Sequence, residues 1–357
     1  MAERCQMKTI EVNASKSYNV YIGNGIMSEV GERLKTAAAG IEKVAVISDD
    51  NVFPIYGEKV IKSLEAAGYK AVSYVFPHGE QSKNTDTYVR LLNFLAAEKL
   101  TRTDAVAALG GGVTGDMAGF AAATFLRGIK YIQIPTSLLS MVDSSVGGKT
   151  AIDLESGKNL AGAFCQPSLV VCDLDALDTL KPEFFTDGCA EVIKAAILSS
   201  RQLFDHLKEK GQQFDREYTI YECIAMKRDC VCEDEFDTGV RRLLNLGHTI
   251  GHAIEKNSNF TISHGNAVAI GTALIARIAA SHGYCSETCR DEIIEGIRAL
   301  GLPTENPYSL AEILPVMASD KKRTGASISM IIPEEIGKCF VKKLSMDELE
   351  DFIKPAF

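Results

Sequence analysis

DAVAALGGGVTGD, residues 104–116, is a short apolar run that ends in three consecutive glycines and passes directly into a helical pattern. A strand that enters a glycine turn and then a helix is the opening of a βαβ unit. Gly110, Gly112 and Gly115 fit the spacing GxGxxG. Glycines at such a turn let backbone N–H groups approach a pyrophosphate, and the helix N-terminus favours its charge. The acidic residue expected about 20 positions later in dinucleotide folds is missing, since that region reads KYIQIP, residues 130–135. The motif alone leaves two readings open, a dinucleotide cradle or a tight strand–helix turn.

Outward from this turn the same alternation continues. Upstream, KTIEVNA (8–14) and YNVYIG (18–23) read as paired strands, KVAVISD (43–49) as a buried strand and AVSYVF (71–76) as another. Between and after them, MSEVGERLKTAAA (27–39), PIYGEKVIKSLEAAG (54–68) and TYVRLLNFLAAEKL (87–100) have helical periodicity. Downstream, YIQIPTSLL (131–139) and SLVVCDLDAL (168–177) complete the strands. Strand and helix in alternation predict a largely parallel sheet with helices on its faces. Beyond Lys181-Pro182 helical patterns dominate: AEVIKAAILSS (190–200), YTIYECIAMKRDCVC (218–232), HTIGHAIEKN (248–257), NAVAIGTALIARIAASHG (266–283) and RDEIIEGIRAL (290–300). The expected architecture is an α/β Rossmann-like domain over 1–180 and a mainly α-helical domain over 181–357.

Composition fits this plan. The 357 residues suffice for two domains of roughly 100–200 residues each. Hydrophobic residues at 46% and charged residues at 24% are ordinary for a globular chain, which sets aside disordered and collagenous classes. A net charge of −9 argues against a general nucleic-acid binder, which needs basic surface to replace condensed counterions. The opening MAERCQMKTIEVNA lacks the apolar core of a signal peptide. No apolar run approaches the roughly 20 residues that span a bilayer. The ten cysteines contain no CxxC pair, so they read as reduced thiols of a cytoplasmic protein.

Gly147-Gly148-Lys149-Thr150 looks like the end of a phosphate-binding P-loop, but Asp143 stands where that loop needs its first glycine. A nucleoside triphosphatase is therefore not expected, and Lys149 and Lys158 are left as groups that meet substrate charge or as solvated surface. His248 and His252 lie four apart in HTIGH and so share one helical face. His264 begins the next helical pattern. Three histidines within seventeen positions, in a chain with six, favour a metal. Glu191 is a candidate carboxylate partner, with a first-turn glutamate favoured by the helix dipole as the alternative. Two histidines and a carboxylate with an open position make a catalytic zinc arrangement. Lys194, Lys227, Arg241 and Lys321-Lys322-Arg323 add cationic groups suited to phosphate and carboxylate.

These segments together resemble the 3-dehydroquinate synthase family of sugar-phosphate cyclases. The likeness is carried by PHGEQSK (77–83), GGGVTGDMAGFAAATFLRG (110–128), IPTSLLSMVDSSVGGKTAID (134–153), GKNLAGAF (157–164), GCAEVIKAAIL (188–198), RRLLNLGHTIGHAIE (241–255) and SHGNAV (263–268). It implies metal ligands Glu191, His248 and His264, with His252 a substrate-side group and the metal Zn2+ or Co2+. It implies an NAD site lined by Asp49, Asn51, Glu80, Lys83, Gly112, Asp116, Thr136, Ser137, Lys149 and Lys158. Substrate would be held by Asp143, Lys149, Asn159, Lys194, Lys227, Arg241, Asn245, His252, Lys321 and Lys322, with Arg127 reaching the phosphate of a neighbouring subunit in a homodimer. Lys149, Lys194, Lys227, Asn245 and His252 would act in catalysis. CVCEDEFDTG (230–239) departs from the family form.

The reaction implied is a phosphate-eliminating lyase step of aromatic amino acid biosynthesis. It turns 3-deoxy-D-arabino-heptulosonate 7-phosphate into 3-dehydroquinate by transient oxidation with NAD, elimination, re-reduction and aldol closure. The partner is thus a small phosphorylated sugar acid, not a nucleic acid or a membrane. The rival readings are another sugar-phosphate cyclase or an iron-type alcohol or glycerol dehydrogenase.

Overall fold

The computed structural model describes residues 7–321 and 327–357, and residues 319–321 by their backbone alone. The chain divides into two compact units, Met1–Lys181 with Arg216–Phe236, and Pro182–Asp215 with Asp237–Phe357.

In the first unit the strands are β1 (Lys8–Asn13), β2 (Ser17–Gly23), β3 (Lys43–Asp49), β4 (Lys70–Phe76), β5 (Ala105–Gly110), β6 (Lys130–Pro135), β7 (Lys149–Leu154), β8 (Gly157–Phe164) and β9 (Leu169–Asp173). Seven of them form one sheet in the order β1-β2-β9-β6-β5-β3-β4. Only the β1–β2 pair is antiparallel. Helices α1 (Val30–Ala37), α2 (Phe53–Ala66), α3 (Thr85–Ala97) and α4 (Gly112–Thr124) connect the strands. Every residue of β5 and of β9 is buried, as continuous apolar strands of a covered parallel sheet must be. Between sheet and helix, Ala45, Ile47, Val106 and Ala108 pack with Met117, Ala118, Ala121 and Ala122 of α4. Asp104 ties the entrances of two strands together: its carboxylate accepts from the amides of Thr101 at 2.7 Å and Lys43 at 2.8 Å.

The chain runs from β3 outward to β4, then returns to the other side of β3 for β5. That reversal makes a crevice at the carboxyl ends of β3 and β5, the usual ligand position in open parallel sheets. The antiparallel hairpin β7–β8 is not among the strands read from the sequence. A single turn of π-helix, Ser140–Ser144, precedes it and carries Asp143.

The second unit contains α5 (Pro182–Ser199) and α6 (Arg201–Lys210). Helix α7 (Arg216–Glu233), read from sequence with the C-terminal half, belongs instead to the first unit, where it packs on β1 and on the π-turn. The second unit resumes with α8 (His248–Asn257), α9 (His264–Ser281), α10 (Glu287–Ala299) and α11 (Leu310–Lys321). It ends in the hairpin β10 (Ser327–Glu335) and β11 (Lys338–Ser345) followed by α12 (Met346–Ile353). That hairpin is absent from the helical pattern read in the sequence. Helix α9 is buried along most of its length and packs against α5, α8 and α10. Among the described residues no helix is long and apolar enough to cross a membrane.

Candidate active site

Three helices of the second unit place Glu191, His248 and His264 together. Glu191 lies in the middle of α5, which begins at Pro182, so the first-turn alternative fails. It is 2% exposed. Its charge is met by the Lys194 ammonium one turn on, itself buried. Neither carboxylate oxygen accepts a hydrogen bond of normal geometry. Glu191 Oε1 stands 3.5 Å from His248 Nε2 and 3.4 Å from His264 Nε2. Donor atoms arranged tetrahedrally around zinc at about 2.0–2.2 Å stand about 3.3–3.5 Å apart. The spacing therefore fits a divalent cation.

Local chemistry fixes this arrangement. His248 opens α8 directly after Gly247, whose φ of 77° is left-handed. A Cβ at Gly247 would meet Thr272 Oγ1 at 2.2 Å and the Val268 carbonyl oxygen at 2.6 Å. A Cβ at Gly271 would meet the Gly247 carbonyl oxygen at 2.1 Å. Glycine at these positions lets α8 and α9 approach closely enough for their histidines to meet. His248 Nδ1 faces the Leu246 carbonyl oxygen at 3.1 Å, which leaves Nε2 for the cluster. Burial first, then the Lys194 charge, pushes the His248 imidazolium down to about 3. Burial also opposes charge on His264, but the Glu191 and Glu255 carboxylates outweigh it and push that ring up to about 10. Burial alone would raise Glu191, yet Lys194 and the two rings hold it well below the usual carboxylate range.

His252 lies one turn beyond His248, exposed, with ring centroids 5.4 Å apart. Arg241 and Asn245 belong to a 3-10 segment, Val240–Asn245; Arg241 is 1% exposed and Asn245 is exposed. Lys322 lies outside the described residues, as does the side chain of Lys321. Glu255, which the sequence reading passed over, is 5% exposed and faces His264 Nδ1 at 3.6 Å. The available signal was its spacing, seven after His248 and three after His252 on one helical face.

In the first unit Asp49, Asn51, Gly112, Thr136 and Ser137 follow or end β3, β5 and β6 at their carboxyl ends. Asp49 ends β3, and its Oδ1 accepts from the amides of Asn51 and Val52 at 2.9 Å. Thr136 follows β6, and its amide donates to the Gly110 carbonyl at 3.0 Å. Ser137 holds Ser140 through their hydroxyls at 2.9 Å. The glycines of the quoted turn divide their work. A Cβ at Gly110 would strike Thr114 Oγ1 at 2.5 Å, and one at Gly115 would strike Gln133 Oε1 at 2.8 Å. At Gly111 and Gly112 the nearest atoms are Ser137 Oγ at 3.5 Å and Ser144 Oγ at 3.4 Å. So Gly110 and Gly115 serve packing, while a Cβ at Gly111 or Gly112, at the N-terminus of α4, would make only ordinary contacts. The N-terminus of such a helix, after a glycine turn, favours a pyrophosphate in parallel-sheet folds.

Lys83, buried, donates to Asp116 Oδ2 at 2.6 Å and Asn159 Oδ1 at 2.5 Å. Glu80 lies 3.9 Å from both Lys83 and Lys158. Asn159 itself has a φ of 55°. Lys227 of α7 pairs with Asp143 Oδ1 at 2.7 Å. Lys149 opens β7 and is exposed. Arg127, exposed, follows Leu126 on left-handed backbone, with φ of 67° and 51°.

Comparison with known proteins agrees along the whole chain. The family model described as 3-dehydroquinate synthase N-terminal matches residues 73–187, and its C-terminal counterpart matches 188–323. A 3-dehydroquinate synthase of Clostridium acetobutylicum is 41% identical over 355 residues, covering 98% of this chain and 99% of that one. One of Clostridium botulinum is 42% identical, covering 96% and 99%. Among solved structures, 2-deoxy-scyllo-inosose synthase complexed with carbaglucose-6-phosphate, NAD+ and Co2+ superposes with a TM-score of 0.87 at 25% identity, covering 97% of this chain and 99% of that one. The 2-epi-5-epi-valiolone synthase of Streptomyces hygroscopicus, with NAD+ and Zn2+ bound, gives 0.86 at 25% identity, covering 97% and 98%. An iron-containing alcohol dehydrogenase shares the fold alone, with a TM-score of 0.66 at 14% identity over 97% and 98% of the two chains.

Proposed function

The chain belongs to the 3-dehydroquinate synthase family, and from that premise we propose that it converts 3-deoxy-D-arabino-heptulosonate 7-phosphate to 3-dehydroquinate and phosphate. One observation carries the reading. In a chain about 40% identical to such synthases along its length, a buried carboxylate beside the Lys194 ammonium faces two imidazole nitrogens at 3.4 and 3.5 Å.

Glu191, His248 and His264 would hold the divalent cation, zinc or cobalt. Gly111, Gly112 and the start of α4, with Asp49, Thr136 and Ser137, would hold NAD. When bound, NAD takes up and returns one hydride, and the cation polarises the oxygen at the oxidised carbon. The remaining work belongs to side chains. Arg241 pairs with the substrate carboxylate, because a guanidinium offers two parallel donors. His252, exposed one turn past a ligand, carries a proton at its ring nitrogen. Lys194 lies against Glu191 and adds positive charge beside the ligands. Lys227, fixed by Asp143, and Lys149 bind anionic oxygens, while Asn159 and Asn245 supply amide donors. Arg127 reaches a phosphate bound to a second subunit, so the working form is a homodimer. The setting is the cytoplasm, where the reduced thiols fit.

The test uses purified protein with the heptulosonate phosphate, NAD and zinc. Release of inorganic phosphate and formation of the carbocycle, without accumulation of NADH, is the expected result. Stoichiometric NADH without phosphate would make the protein a dehydrogenase.

A further inference from the structure

His264 is faced by a carboxylate at each of its ring nitrogens: Glu191 Oε1 lies 3.4 Å from Nε2, and Glu255 Oε2 lies 3.6 Å from Nδ1. Glu255 has no place in the reading so far. Its position is nonetheless costly, because a carboxylate taken out of water needs a partner, and Glu255 is 5% exposed. It projects from the last turn of α8, on the face that also carries His248 and His252.

The other imidazole of the cluster shows what such a partner does. His248 has its Nδ1 set against the Leu246 main-chain oxygen at 3.1 Å, which commits Nε2 to the cluster. His264 opens α9 and has its Nδ1 set against a side chain instead. An imidazole that binds a cation through one nitrogen presents N–H at the other, and an acceptor there fixes both tautomer and ring angle. We propose that Glu255 is a positioning residue for the metal centre, orienting the His264 ring from its Nδ1 side so that Nε2 is presented to the cation. This rests on the reading of Glu191, His248 and His264 as metal ligands.

The side chain of Glu255 can be changed without undoing the end of its helix. The local bonds there, from the Phe260 amide and the Ser258 hydroxyl, go to the Glu255 main-chain carbonyl. The experiment measures zinc affinity by competition with a chelator of known affinity, in the absence of substrate and NAD. It also records the visible spectrum of the cobalt-loaded protein. Glu255→Ala should weaken zinc binding about 10- to 100-fold and alter the cobalt bands. Glu255→Gln keeps an acceptor but loses the charge, so it should weaken zinc less. A folded Glu255→Ala protein with unchanged zinc affinity and unchanged cobalt bands overturns the proposal. If circular dichroism shows that the alanine variant does not fold, the isosteric glutamine variant decides by the same two readouts. Wild-type protein that takes up no stoichiometric zinc overturns the metal-ligand reading itself. Normal wild-type uptake with indifferent variants overturns the role of Glu255 alone.

Discussion

At the scale of single residues, the cost of burying Glu191 explains more of the site than any other fact. A carboxylate at 2% exposure persists only if positive charge compensates it. Lys194 supplies one charge; the gap between Nε2 of His248 and Nε2 of His264 is suited to a second. Three protein ligands leave little redundancy, so His248→Ala and His264→Ala should each purify with well under one zinc per chain by elemental analysis. Full occupancy in both variants would show the cation, if any, to lie elsewhere. The histidines could be read from sequence because spacing of four on a helix, in a chain with six histidines, is a local pattern. Glu191 could not be read that way. Residue type made it one candidate carboxylate, with a first-turn glutamate as the alternative, and its burial in the middle of α5 comes from the fold. Glu255 was missed because its burial, too, comes from the fold.

Elements bring these residues together through close backbone contact. Helices α8 and α9 meet at Gly247, Gly251 and Gly271, and a Cβ at Gly271 would stand 2.1 Å from the Gly247 carbonyl oxygen. Main chain cannot swing aside as a flexible side chain can. Gly271→Ala should therefore separate the helices, cost about 1–3 kcal/mol of stability, and weaken zinc binding although it touches no ligand. Zinc titration and thermal unfolding of the variant measure both effects. In the sheet, Asp104 has an equally specific role. Burial alone would raise its carboxyl, but the donors from Thr101, Lys43 and Glu42 outweigh burial and lower it. A depressed carboxyl stabilises the fold fully above its unfolded value of about 3.9, and that contribution fades as pH falls through the folded value. Asp104→Asn should thus cost about 1–3 kcal/mol at pH 7, and denaturation midpoints of variant and wild type should converge as pH falls below about 3.9 and on through the depressed folded value. The same elements mark where sequence reading stopped. The covered strands β3, β5 and β9 announced themselves as apolar runs. KTAIDL and GKNLAGAF, residues 149–154 and 157–164, have half-exposed strands rich in glycine and alanine and gave no such signal. Helix α7 carries a helical pattern, but no periodicity states which unit a helix packs against.

For the molecule as a whole, backbone likeness does not choose the reaction. The inosose and valiolone synthases superpose with TM-scores of 0.87 and 0.86, and an alcohol dehydrogenase still reaches 0.66. One parallel sheet and one helical unit therefore host several chemistries, and specificity has to be argued from side chains. The heptulosonate phosphate carries a carboxylate that glucose 6-phosphate and sedoheptulose 7-phosphate lack. A binding site that desolvates that group must offer fixed donors, since an unpaired buried charge is expensive. Arg241, 1% exposed at the start of the 3-10 segment that leads to His248, is the side chain suited to it. Its planar fork matches two carboxylate oxygens; an ammonium keeps the charge but not the paired geometry. Arg241→Lys should raise KM for the heptulosonate phosphate about 10- to 100-fold, the worth of one charge-assisted hydrogen bond at about 1.5–3 kcal/mol. Zinc content and NAD binding should stay unchanged, because the substitution touches neither ligand set. The wild-type enzyme should release no phosphate from sedoheptulose 7-phosphate or glucose 6-phosphate under the same conditions. Those substrates lack the carboxylate that the Arg241 fork would meet, a loss of binding that falls on the wrong substrate and not on the right one. Comparable turnover of sedoheptulose 7-phosphate would show that Arg241 spends its charge inside the fold and that selectivity against that sugar does not come from a carboxylate pocket.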